Sequence, residues 1–183
     1  MVEIKRVTDV SELEGIQELQ KQNLRKHISS EEALVEGFLT AEYTLDFLER
    51  MHAIESSIIA KVGETVVGYA LVSTKKIRQE HDLLNDLFNT IDVCAYNGMQ
   101  LKTVNYVVVG QLCVAKDYRG QGLVQHLYGH FKDCLHDQYD YLLTDVAKDN
   151  VRSLKAHQKT GFQVISELEY GGFGWDIILW DWR

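Results

Sequence analysis

The chain has 183 residues, enough for one domain with a substantial core and no metal or disulfide support. Hydrophobic residues make up 45% and charged residues 25%, with no proline, which excludes a disordered, collagen-like or proline-rich chain. With 19 Lys and Arg against 27 Asp and Glu the formal charge is −8, so nothing draws in nucleic acid or an anionic membrane at long range, and a polyanionic ligand must be held locally.

The first strand is expected from Glu3 to Val7. Ser11 with Glu14 forms a capping box for a helix through about His27, with Leu13, Ile16, Leu19 and Leu24 facing inward. Ser29 with Glu32 is a second box, opening a short helix through Leu34 and Phe38, and Leu45, Leu48, Met51 and His52 continue the helical period. Runs rich in Ile and Val at 57–60 and 66–73, split by Val62-Gly63-Glu64, read as an antiparallel hairpin. Residues 74–102 form a polar insertion in which Leu83, Leu84, Leu87, Phe88 and Ile91 fit a short amphipathic helix.

Tyr106 to Val114 is a nearly unbroken apolar run, suited to a central strand covered on both faces; Gly110 inside it marks a bulge or a close approach. After the turn 116–122, Leu123, Leu127, Phe131, Cys134 and Leu135 recur at spacings of three and four, as on a helix packed against a sheet. Tyr141 to Val146 is the next strand, and Asn150 opens a helix that runs to about Lys159 and ends at Gly161. Strand, helix, strand makes this pair parallel. Phe162–Tyr170 and Trp175–Trp182, joined by Gly171-Gly172, form a C-terminal hairpin; Trp180 and Trp182 share a face and, with Phe173 and Trp175, pack that hairpin or a homodimer contact.

No repeat or linker divides the chain, so 1–183 is expected to be a single α/β (mixed α+β) domain with a mixed sheet flanked by helices. Cys94, Cys113 and Cys134 are odd in number and contain no C-x-x-C, which fits a reducing, cytoplasmic setting. The start MVEIKRVTDV lacks the apolar run of a secretory leader, and no stretch has the length of a membrane span. His126 and His130 lie four apart on one helix face without an acid or cysteine partner, so no metal is inferred.

The segment Gln111 to Tyr128 carries the most chemistry. Strand, then Arg119-Gly120-Gln121-Gly122, then helix, presents successive unpaired backbone N–H groups from Arg119 into a helix start, where the helix dipole also favours negative charge. That suits a phosphate or diphosphate. It is too short for a P-loop, and no Gly-Lys pair is present. Residues 111–160 hold seven Lys or Arg against six Asp, while the rest of the chain carries an excess of nine acids.

These residues resemble the acetyl-coenzyme A loop of the GNAT superfamily of N-acetyltransferases, whose pattern is Arg or Gln, two residues, Gly, one residue, Gly or Ala. Arg119 and Gly122 match, and Val124 stands where the family has a small residue. Asn150 to Phe162, in which an Asn opens a helix that ends in Gly-Phe, is similar to the family's second conserved region. The resemblance implies a GNAT-like fold with a largely antiparallel central sheet, acetyl-CoA as co-substrate, and transfer of the acetyl group to a primary amine of a small molecule or peptide. It assigns the cofactor to Leu112, Cys113 and Val114 along the pantetheine arm, to Arg119, Gly120, Gln121, Gly122, Leu123 and Val124 at the diphosphate, and to Asn150 and Ser153.

Acetyl transfer needs approximation, donors for the developing oxyanion, which amides near Val114 would supply, and two proton transfers. The family places a tyrosine four residues before the Gly-Phe helix end as general acid; here that position is His157. Tyr118, Tyr128 and Tyr139 are other hydroxyl donors. Gln111 stands where relatives carry a glutamate base and cannot accept a proton, which leaves a water relayed by Glu80, His81 or Asp92 from the insertion. Asn150 either caps its helix or turns to the pantetheine amides, and Cys113 is expected to be a buried, inert thiol. The alternative to an enzyme is a catalytically silent acyl-CoA-binding module.

Overall fold

The structure is a computed structural model that describes residues 1–29, 38–170 and 172–183, with the side chain of Tyr170 also left aside. The expected helix from Ser29 through Leu34 to Phe38 falls mostly on 30–37, outside the described residues. Strand β1 (Glu3–Arg6) leads into α1 (Val10–Asn23), followed by a single 3₁₀ turn, Arg25–His27. Helix α1 starts earlier than the Ser11 box implies. The carboxylate of Asp9 accepts from the Glu12 amide, while Glu12, buried beneath the helix, accepts from the Thr8 amide and pairs with Lys5 and Lys61.

Helix α2 (Leu45–Ile54) is capped by Thr44 and precedes the hairpin β2 (Ile58–Val62) and β3 (Thr65–Ser73). The insertion contains α3 (Asp82–Val93) and a two-residue-per-strand hairpin, β4 (Ala95–Tyr96) and β5 (Met99–Gln100), which the sequence pattern does not announce. Then come β6 (Tyr106–Val114), α4 (Leu123–Leu135), β7 (Tyr141–Ala147), α5 (Val151–Thr160), β8 (Gln163–Tyr170) and β9 (Phe173–Asp181).

Seven strands form one sheet in the order β1-β2-β3-β6-β7-β9-β8. Every neighbouring pair is antiparallel except β6 and β7. Period-two alternation divides the apolar residues between the faces. Tyr69, Tyr106, Val108 and Leu143 meet α1, α2 and α3 on one side, while Val67, Val107, Val109 and Leu142 meet Leu127, Tyr128 and Phe131 of α4 on the other. Trp182 packs on Phe131 and Trp180 with this second group, so both indoles are used inside the chain by the C-terminal hairpin.

The parallel pair is short, and that positions the site. β6 and β7 are in register only at Tyr106–Tyr141, Val107–Leu142 and Val108–Leu143. Beyond these, β6 stays with β3 and β7 stays with β9, and the two central strands part. The hydroxyl of Thr144 donates to Val109 O at 2.8 Å where the ladder ends. The bulge expected at Gly110 is present: the β3–β6 register slips between Ala70 and Val72, opposite Gly110 and Gln111. A Cβ on Gly110 would lie 2.3 Å from Ser73 Oγ, so that close approach needs glycine.

Candidate active site

Two hollows meet where the strands part. The larger, of about 740 Å³, runs from the β6 end over the glycine turn to α5. The smaller, of about 120 Å³, lies between β6, β7, α3 and the segment 38–43. Phe38, Leu39, Leu112, Asn150 and Ser153 line both, so the hollows are continuous through the split.

The larger hollow gathers open backbone amides and basic side chains. Gly120 (φ 75°) and Gly122 (φ 78°) adopt the left-handed conformation, and Gly122 is the N-cap of α4. Among the described residues, no protein group accepts from the amides of Gly120, Gln121, Gly122, Leu123, Val124 or Gln125. The open row therefore starts one residue later than expected, because the Arg119 amide donates to Lys116 O at 3.2 Å. The Arg119 side chain braces the turn: Nε donates to Val114 O at 2.9 Å and Nη2 to Asn23 Oδ1. Arg152, Lys155 and Lys159 of α5 also line this hollow, and no acidic residue lines it among the described residues.

On the strand, Ala115 N donates to Val67 O, so period-two alternation turns the backbone of Leu112 and Val114 toward the split. Cys113 points the other way into the core, and burial pushes its thiol up to about 12, which keeps it protonated and inert. Asn150 does cap α5: its Oδ1 accepts from Ser153 N at 3.3 Å, and its Nδ2 donates to Phe38 O at 3.3 Å, tying that segment across the split. Ser153 lies beside it at the junction.

The smaller hollow is acidic. Asp86 of α3 and Asp145 of β7 line it, and no Lys or Arg does among the described residues. Neither carboxylate forms an ion pair or a hydrogen bond with another described residue's side chain. Desolvation raises the Asp145 carboxyl to about 6. Asp145 is absent from the sequence-based site. Its signal was the lone charge within the apolar run Tyr141–Ala147, a strand buried on both faces. Asp86 had no sequence signal.

The other base candidates are engaged elsewhere. Glu80 pairs with Arg50 at 2.7 Å, Asp92 pairs with Arg78 at 2.8 Å and accepts from Tyr106 OH, and His81 packs between Tyr43 and Phe47. Gln111 is a core crosslink that accepts from Tyr69 OH at 2.6 Å and donates to Ala41 O at 2.7 Å.

His157 does line the smaller hollow, yet its placement does not suit an acid. Nδ1 lies 2.8 Å from Ser153 O, which only accepts, so the ring proton is there; Nε2 then accepts from Tyr128 OH at 2.7 Å. Burial lowers the imidazole to about 4, so the ring is neutral near pH 7 and its one proton is committed to the helix.

The sheet thus opens between two parallel strands, with open amides and basic side chains on one side of the opening and carboxylates on the other. The profile of the acetyltransferase (GNAT) family matches residues 16–162, and the chain belongs to that family. Among solved structures it is similar to the ribosomal-protein-S18-alanine N-acetyltransferase from Escherichia coli, at 10% identity and TM-score 0.65, covering 99% of this chain and 94% of that one. It is also similar to the Salmonella typhimurium protein yncA with its cofactor acetyl-CoA (14%, TM-score 0.66, 100% and 95% covered) and to a chain of the NatC complex bound to Gag peptide and CoA (12%, TM-score 0.67, 100% and 99% covered). No curated protein matches the sequence.

Proposed function

We propose that this protein transfers the acetyl group of acetyl-CoA directly to a primary amine. The observation that carries the reading is the charge division at the strand split: open amides and four basic side chains on one side, an unpartnered carboxylate on the other. A coenzyme A thioester fits the first side, because its diphosphate matches the amides of residues 120–125 at the α4 N-terminus. When bound, it supplies an acyl carbon already activated for attack by nitrogen.

The chain's residues then divide the work. Leu112 and Val114 present backbone toward the split, where a carbonyl oxygen gains negative charge. Asp145 accepts the first proton of the incoming ammonium, which frees the nitrogen lone pair. The N–C bond forms as the C–S bond breaks, and the second nitrogen proton ends on sulfur. His157 serves as a positioning residue that joins α5 to Tyr128 of α4 beneath the junction. Asp145 offers the base that Gln111 cannot be, and this favours the enzyme over the silent module.

Acetyl-CoA binding by calorimetry, followed by free-thiol release with an amine panel, tests this reading. Micromolar binding with thiol release that Asp145→Asn lowers at least about a hundredfold is the expected result. Binding without release for any amine returns the silent module, and absence of binding overturns both.

A further inference from the structure

Deprotonating one amine requires one carboxylate, yet the acceptor-side hollow has two. Asp145 comes from β7 and Asp86 from α3 on the opposite wall, and the space between is only about 120 Å³. Elsewhere the sheltered carboxylates are matched: Glu12 with Lys5 and Lys61, Asp92 with Arg78, Asp176 with Lys148, Asp181 with Arg183. Asp86 and Asp145 are not matched among the described residues. The remaining lining mixes apolar side chains such as Leu83 and Leu87 with polar ones such as Thr40 and Ser153, and contains no Lys or Arg among the described residues. Two carboxylates on one small hollow without a cationic partner favour an occupant that brings positive charge to both.

Resting on the acetyl-transfer reading, we propose that the acceptor is a compact dication: a primary amine that meets Asp145, joined by a short aliphatic spacer to a second cationic group held by Asp86. The Leu83 and Leu87 side chains accept the methylene spacer. Transfer converts one ammonium into a neutral amide, so the product keeps only its contact with Asp86 and leaves more readily than the substrate. A neutral tail, or an anionic one as in an amino acid, brings nothing to Asp86.

The test uses the full chain with acetyl-CoA and follows thiol release with 1,4-diaminobutane, 1-aminobutane, 4-aminobutanoate and a tetrapeptide with N-terminal alanine. The expected result is a kcat/KM for the diamine at least about tenfold above that for 1-aminobutane, a ratio that collapses toward one in Asp86→Asn and is restored in Asp86→Glu. Thermal unfolding and acetyl-CoA affinity of both variants establish that they fold. Equal use of the two amines, preference for the amino acid or the peptide, or a ratio unmoved by Asp86→Asn overturns the inference while acetyl transfer stands. Failure to bind acetyl-CoA, or to release thiol with any acceptor, overturns both.

Discussion

Asp145 and His157 are displaced in opposite directions by the same cause, the loss of water around them. The Asp145 carboxyl rises from 3.8 to about 6 and the His157 imidazole falls from 6.5 to about 4. Below pH 6.5 the unfolded chain binds a proton at His157 that the folded chain refuses, so folding stability falls with acidification. Asp145 does the reverse: between about 6 and 3.8 the folded chain holds a proton that the unfolded one lacks, so stability rises with acidification. Each effect reaches at most about 3 kcal/mol, and together they nearly cancel. In urea unfolding followed against pH, Asp145→Asn should therefore expose a loss of stability from pH 6.5 to 4, and His157→Gln a gain over the same range. On activity, kcat/KM should rise with pH through an apparent pKa near 6, a limb missing in Asp145→Asn.

At the scale of elements, the glycine turn and the bulge set the site. Gly122→Ala places a side chain at φ 78° at the α4 N-cap, a conformation that costs roughly 1–2 kcal/mol. It should weaken acetyl-CoA binding about tenfold in calorimetry and lower folding stability by about that strain. Gly110→Ala should instead act on the fold, because its Cβ meets Ser73 Oγ and moves the carbonyl that accepts from Tyr43 OH at 3.2 Å. A loss of about 1–3 kcal/mol in denaturant unfolding is expected. The elements themselves were readable: β6 spans the apolar run Tyr106–Val114 as expected, and α4 begins at Leu123. The start of α1 was less so, since both Asp9 and Ser11 can cap a helix. The choice fell to Asp9 because Glu12, three residues on, is drawn under the helix by Lys5 and Lys61 from neighbouring strands.

Across the whole molecule, the decisive feature is that β6 and β7 separate after three residue pairs. Thr144 is the side chain that spans the start of the opening. Thr144→Val should cost about 1 kcal/mol in urea unfolding, from the loss of a buried hydrogen bond. It should also lower kcat more than it weakens acetyl-CoA binding, because it changes the relation between β6 and the strand that carries Asp145. Charge is the other global property. The excess of acids lies outside residues 111–160, so added salt should raise KM for a cationic acceptor, as followed by thiol release at fixed acetyl-CoA.

Sequence by itself determined the larger strands and helices, though not the β4–β5 hairpin or the start of α1, because hydrophobic period, glycine and capping residues are local causes with local effects. It also determined the anion cradle, since a glycine turn and the helix start behind it are contiguous in the chain. The acceptor side was decided only by the fold. Asp86 and Asp145 lie 59 positions apart and share a hollow because the helix of the insertion packs where β7 parts from β6. His157 shows the same dependence: its position in the chain suggests an acid, and its burial against Tyr128, 29 residues away, takes that role from it. Burial and partnership between distant residues set a group's protonation, and no local pattern contains either.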